Sequence, residues 1–359
     1  MSQDHQNLLV FIGSFAPGDD GAIQAYGLDL ASGTLAPAQR TGGIEHPFFL
    51  AAAPDGGFLY SVHEPETFGG KNDGQVASYQ IIDRKGELKL LNRQSAHGSA
   101  TCYLDIDRSG RMLLAANYNS GNISALPIHR DGSLGESSTL LQHEGSGADP
   151  SRQEGPHAHC IVVSPDGRYA HAADLGIDKV INYCMDAGTT TLAPGSQPFV
   201  RTRPGAGPRH LVFHPDGQRV YVINELHNSV SLFDYDSGSG SLAEQQTIST
   251  LPDTFDGVSY CADLKITSDG RFLYATNRGH DSIACYRLNG DGSLSLIGIE
   301  PSLGAGPQNL AITPDDRLLL CANMPGNNVV VFRIDAETGI LARIGEPVVH
   351  ACPSCIVIL

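Results

Sequence analysis

A turn of the type Pro-Asp-Gly followed by an apolar run recurs down this chain, and its spacing limits the folds open to it. It appears as APDGGFLYSVHE (53–64), DRSGRMLLAANY (107–118), SPDGRYAHAADL (164–175), HPDGQRVYVINE (214–225), TSDGRFLYATNR (267–278) and TPDDRLLLCANM (313–324). The last turn residues, Gly56, Gly110, Gly167, Gly217, Gly270 and Asp316, stand 46 to 57 residues apart. Proline presets one φ and glycine supplies a positive one, so each turn joins two antiparallel strands.

Two further parts share the period. Before each turn lies a short apolar strand, often led by proline: HPFFLAA, ATCYLDI, GPHAHCIVV, GPRHLVF, SYCADLKI, GPQNLAI and, at the end of the chain, ACPSCIVI. After each turn strand comes an alternating strand closed by a polar turn and a leucine, as in SVSLFDYDSGSGSL. Counting LLVFIGSF at residues 8–15 as an unmarked turn strand, every part occurs seven times. The chain begins with a second strand and ends with a first strand, so the two ends complete one unit and close a ring. With a fourth, variable strand in each linker, this predicts an all-β fold, a seven-bladed β-propeller of four-stranded antiparallel blades, with residues 1–359 as a single domain. Two tandem sandwiches would leave the split unit unexplained, and no window shows sustained helical periodicity.

Composition narrows the function. A formal charge of -16 argues against nucleic acid as a partner, yet a few local arginines can still attract a small anion. The opening MSQDHQNLLVFIGSF has no Lys or Arg, and its apolar run is too short for a secretory or spanning segment. Eight cysteines, mostly inside apolar runs, then read by default as small buried thiols in a reducing compartment, and the expectation is a cytoplasmic protein with no membrane partner. Cys352-Pro-Ser-Cys355 has redox or zinc half-site spacing, but no second such pair follows.

In each blade the start of the first strand and the end of the second share one rim, facing the axis, while the Pro-Asp-Gly turns occupy the other. Counting back from the turns, the first-strand positions are Phe48, Tyr103, His159, Arg209, Ala262 and Gln308. The second strands end on His63-Glu64, Asn117-Tyr118, Asp174-Leu175, Asn224-Glu225, Asn277-Arg278 and Asn323-Met324. The repeating asparagines read chiefly as turn caps. The charged residues that do not repeat stand out: His159, Arg209, Glu225 and Arg278, then Glu64 and His157. A structural ring would repeat its polar group. His210, beside Arg209, and Asn117 complete the expected substrate contacts. His157 and His159 have metal-ligand spacing, but no third ligand follows, so no metal is expected. Two arginines suit a carboxylate or phosphate, and a histidine can take a proton from water. No nucleophile elbow, phosphate loop or dinucleotide fingerprint occurs in a supporting context. Water attack on, or internal closure of, a small anionic ester or lactone fits this set.

The phrases GPHAHC, GAGPRHLVFHPDG with VINEL, ADLKITSDGRFLYATNR and GAGPQNLAITPD resemble the seven-bladed lactonase family, which includes 6-phosphogluconolactonases of the cycloisomerase-like type and fungal carboxymuconate cyclases. The resemblance runs from LLVFIGSF to the closing strand. It places the family's implicated residues on His159, Arg209, Glu225 and Arg278. It implies hydrolysis of 6-phospho-D-glucono-1,5-lactone in the pentose phosphate pathway, part of carbohydrate metabolism, without metal or organic cofactor. His159 or Glu225 would activate water, and Arg209 and Arg278 would hold the phosphate and the carbonyl, in an order left open. The alternatives are a muconate-type cyclase and a non-catalytic interaction platform. A monomer and a homodimer are both compatible with the sequence. One departure is the extended GSGADPSRQEGPHAHC stretch, whose loop before His159 is expected to reshape the site.

Overall fold

The computed structural model describes residues 7–64 and 74–359. They form seven antiparallel sheets whose strands follow in chain order, with one exception: Pro353–Ile358, Asn7–Ser14, Ala22–Asp29 and Leu35–Gly42 make one sheet from both chain ends. The fold is the seven-bladed β-propeller that the repeat requires, and only two short 3-10 segments interrupt the strands among the described residues. Blade 1 is the sheet of the two ends, and blades 2 to 7 follow with first strands Leu50–Ala52, Thr101–Ile106, Ala158–Val163, Pro208–Phe213, Tyr260–Ile266 and Pro307–Ile312.

By contacts the chain divides into two compact units, one of Met1–Leu50, Ile81–Lys89 and Thr250–Leu359, the other of Ala51–Gln80 and Leu90–Ser249. The first holds blades 1, 6 and 7; the second holds blades 3, 4 and 5 and most of blade 2. Within each, apolar clusters form between neighbouring blades. Val10, Ile12 and Leu28 of blade 1 pack on Leu318, Leu320 and Val329 of blade 7, and Ile161 and Ala172 of blade 4 on Met112 and Leu114 of blade 3. A sheet covered on both faces has no solvent side. That is why second strands such as Met112–Asn117 and Leu318–Asn323 are buried at every residue instead of alternating.

The first strand of a blade is a sheet edge with orphan N–H groups. Side chains of the preceding blade satisfy several. Asp105 accepts from the Val163 N–H at 2.8 Å, Asp263 from Leu310 at 3.0 Å, and Asn309 from Ile356 at 2.8 Å. At the Pro-Asp-Gly rim, the five turn glycines have φ between +66° and +71°, and Asp316 matches them at +57°. Asp316 offsets the strain of that conformation by accepting from the backbone and hydroxyl of Ser268 in the neighbouring turn, at 2.8 and 2.6 Å.

One buried histidine has a measurable consequence. His171 of blade 4 donates from Nε2 to the Gly240 carbonyl at 2.9 Å and packs edge-on against Phe213 and Tyr235. Its Nδ1 has no hydrogen-bond partner among the described residues. Burial therefore holds it neutral and pushes its pKa down to about 4. An unfolded chain takes up this proton near pH 6.5 and the folded one only near 4, so stability is lost as pH falls through that window, by about 3 kcal/mol for this residue. His171→Gln removes the term. Urea unfolding at pH 7 and pH 4 is expected to show the stability gap between wild type and variant shrinking by about that amount; a constant gap contradicts it.

Candidate active site

Backbone irregularity, not strand alternation, presents the polar side chains of the second unit. The first strands of blades 3, 4 and 5 lie side by side, and each slips register after its first residue. Thr101 pairs with Asn117 and Tyr103 with Ala116; Ala158 with Asp174 and Cys160 with Ala173; Pro208 with Asn224 and His210 with Ile223. The skipped residues are Cys102, His159 and Arg209. A bulge adds a residue and re-aims its side chain. Cys102 is thus the structural counterpart of His159 in blade 3, not Tyr103. Counted from Gly110 as His159 is from Gly167, eight residues back, the position is Cys102 as well.

Glu225 is the centre of the charge arrangement. It directly follows the second strand of blade 5, Arg219–Asn224, and its N–H donates to the Gly207 carbonyl at 2.7 Å. Only glycine fits there: φ is +62°, and a Cβ would lie 2.6 Å from Leu226 Cγ. The Glu225 carboxylate accepts from Arg209 Nε at 3.0 Å on one oxygen and from Arg152 Nη2 at 2.6 Å on the other. Arg209 is 1% exposed, whereas the Arg152 side chain is 32% exposed. Pairing with two cations offsets the cost of burying the carboxylate. Arg209 Nη1 lies 3.1 Å from His210 Nε2. Since a guanidinium only donates, Nε2 accepts and His210 carries its proton on Nδ1.

A run of rings crosses the same three blades. Tyr103 meets His210 edge-on at 5.0 Å, His210 meets His159 at 5.3 Å, and His159 meets Tyr118 at 5.3 Å. Tyr118 stacks on His157 at 4.5 Å. Burial, chiefly, raises the Tyr118 hydroxyl above its ordinary range, although Arg152 hydrogen-bonds it. Cys102 Sγ lies 3.7 Å from His159 Nδ1. Complete burial pushes this thiol well above its usual range, so it stays protonated and is no nucleophile.

The structure therefore brings His159, Arg209, His210 and Glu225 together, with His157 joined through Tyr118. His157 Nδ1 donates to the Tyr118 carbonyl at 3.1 Å, and Nε2 lies 3.3 Å from Glu154. Tyr118 packs against both His157 and His159, and among the described residues no three His, Cys, Asp or Glu side chains converge to hold a metal ion. Glu64 is buried and accepts from the Thr101 N–H at 3.2 Å. Asn117 is fully buried and binds Thr101, Ala96 and Asn122. Arg278 belongs to the first unit, where it donates to the Tyr260 and Cys261 carbonyls at 3.3 and 3.0 Å and lies 3.4 Å from Gln308 Oε1.

Reading by repeats misses Arg152, and it places Tyr118 at a strand end without singling it out. Arg152 comes from the extended loop before His159, which buried Gln153 pins. The Gln153 amide donates to the Leu175 carbonyl and to Asp178, each at 2.7 Å, and its oxygen accepts from the Asp149 N–H. Asp178 in turn accepts from Gly205 and Gly207 at the start of blade 5. A lone Arg inside an insertion that interrupts a regular repeat was the available signal.

Residues 9–358 match the family described as lactonase, 7-bladed beta-propeller. The chain is 35% identical over 347 residues to a 6-phosphogluconolactonase of Bacillus subtilis (strain 168), covering 96% of this chain and 97% of that one. A 6-phosphogluconolactonase of Formosa agariphila is 33% identical over 95% of this chain and 96% of its own. Among solved structures, the periplasmic gluconolactonase of Pseudomonas aeruginosa superposes with a TM-score of 0.92 at 31% identity, covering 98% of this chain and 99% of that one. Among the described residues no helix is long and apolar enough to cross a membrane.

Proposed function

Because the chain belongs to the lactonase family of seven-bladed β-propellers and is a lactonase, we propose that it hydrolyses 6-phospho-D-glucono-1,5-lactone to 6-phosphogluconate in the pentose phosphate pathway of the cytoplasm. Two relatives bear the name of that activity, and all eight cysteines are free thiols, which suits a reducing compartment. The observation that carries the reading is the carboxylate of Glu225 held between Arg209 and Arg152, with His210 and His159 in ring contact beside it.

In this reading His159 accepts a proton from water as the oxygen attacks the lactone carbonyl carbon. The carbonyl oxygen gains negative charge and a guanidinium stabilises it. Collapse breaks the ring C–O bond, the proton on His159 passes to the ring oxygen, and the new carboxylic acid ionises, releasing one proton per turnover. Glu225 positions the arginines, since both its oxygens already accept from guanidinium groups. Arg152, the more exposed of the two, holds the phosphate. Arg278 stays a candidate contact on the family resemblance.

Proton release from freshly prepared lactone, corrected for spontaneous opening, tests the substrate. The phosphorylated lactone is expected to exceed glucono-1,5-lactone in kcat/KM by at least about tenfold, the worth of one charge-assisted hydrogen bond. The reverse preference assigns the enzyme to unphosphorylated lactones. Arg152→Gln is expected to raise KM for the phosphorylated lactone about tenfold and to leave KM for glucono-1,5-lactone nearly unchanged; an equal rise for both removes Arg152 from the phosphate.

A further inference from the structure

Blade 3 departs from the repeat at its turn as well as at its site end. Where sibling turns read Pro-Asp, with Pro54, Pro165, Pro215 and Pro314, this one reads Arg108-Ser109. The exchange adds one cation and deletes one anion. In blades 4, 5 and 6 the turn Asp neutralises a following arginine: Arg168 with Asp166 at 2.9 Å, Arg219 with Asp216 at 2.6 Å, and Arg271 with Asp269 at 2.6 Å. In blade 3 the corresponding Arg111 donates to the uncharged Ser109 hydroxyl at 3.0 Å. Arg108 and Arg130 make no salt bridge among the described residues.

These three arginines and His129 surround a cleft of about 770 Å³ at the turn end of blades 2 and 3, a volume within the range of small-molecule sites. Its floor is Phe58, Ile128 and buried Tyr60, whose hydroxyl is spent on the Gly132 carbonyl at 3.0 Å. Asp55 is the one carboxylate in the lining, and it accepts from the Gly57 N–H. The other nearby carboxylates are engaged: Asp107 with Ser109, Arg111 and Met112 N–H groups, Asp131 with Ser133, and Asp186 with Gly188 and Thr189. Within the lining three arginines stand against one carboxylate, a local excess of positive charge on a chain of formal charge -16.

We propose that this cleft binds a small phosphate-bearing anion, with Arg108, Arg111 and Arg130 as its ligands. The guanidinium forks match phosphate oxygens, and the apolar floor offers a surface for the organic body. The first strand of blade 3 spans six residues between the catalytic end and this turn, on the order of 20 Å, so the two anion sites are distinct.

Pyrophosphate is the probe, titrated by phosphorus NMR in low salt against wild type and the double variant Arg108→Ser, Arg130→Ser. Both side chains are exposed, and unchanged lactone turnover in the variant reports intact folding and an intact catalytic end. The expected result is at least tenfold weaker pyrophosphate binding by the variant, with Arg108→Lys, Arg130→Lys recovering part of it. Equal affinity in wild type and serine variant places the anion elsewhere and overturns the proposal. So does binding that equimolar sulfate and chloride displace alike.

Discussion

Arg209→Ala is expected to lower kcat/KM for the lactone about a thousandfold and to cost roughly 3 kcal/mol of stability. Both effects follow from one place in the structure. The guanidinium is 1% exposed and joins the Glu225 carboxylate to the His210 imidazole. Alanine removes one of the two guanidinium groups that Glu225 accepts from, and the other, Arg152, sits on a long loop, one-third exposed. His210 loses the guanidinium donor that faces its Nε2. Urea unfolding separates the stability loss from the kinetic one. Arg209→Lys keeps the charge without the fork, so it is expected to recover stability more than kcat/KM. A folded Arg209→Ala enzyme within tenfold of wild type would falsify this account of the clamp.

His159→Ala is the second large effect, a fall in kcat of about a hundredfold to ten-thousandfold with KM little changed, because the imidazole handles the proton and not the anion. Spontaneous opening of the lactone sets the floor of the measurement. The pH profile carries the discrimination. A base must be unprotonated, so wild-type kcat is expected to show an acid limb, and the variant is expected to lose it. A structural role alone, such as packing on Tyr118 and His210, would lower kcat without flattening the profile. Retention of the acid limb in His159→Ala moves the base elsewhere.

The residues most accessible to sequence reasoning were those that break a repeat. His159, Arg209 and Glu225 disagree with their counterparts in other blades, and the structure links them within one unit, His159 to Arg209 through His210 and Arg209 directly to Glu225. Asn117 follows the repeat, and its amide is used inside blade 3, like the turn-capping amides of Asn224, Asn277 and Asn323. Arg152 lies outside the repeat altogether. No periodicity marks it, and its partner Glu225 is 73 residues further along the chain.

Blade number, strand order and the shared sheet of the two chain ends were determined by sequence alone. Each depends on local backbone preference: a Pro-Asp-Gly turn with positive φ at its last residue, and apolar runs of strand length at intervals of 46 to 57 residues. Tertiary structure decided what those strands display. The bulge that turns Cys102, His159 and Arg209 toward one another, the insertion that carries Arg152 to Glu225, and the covering of both faces of each second strand arise from packing one blade against the next. A free energy shared between distant segments leaves no period in either of them.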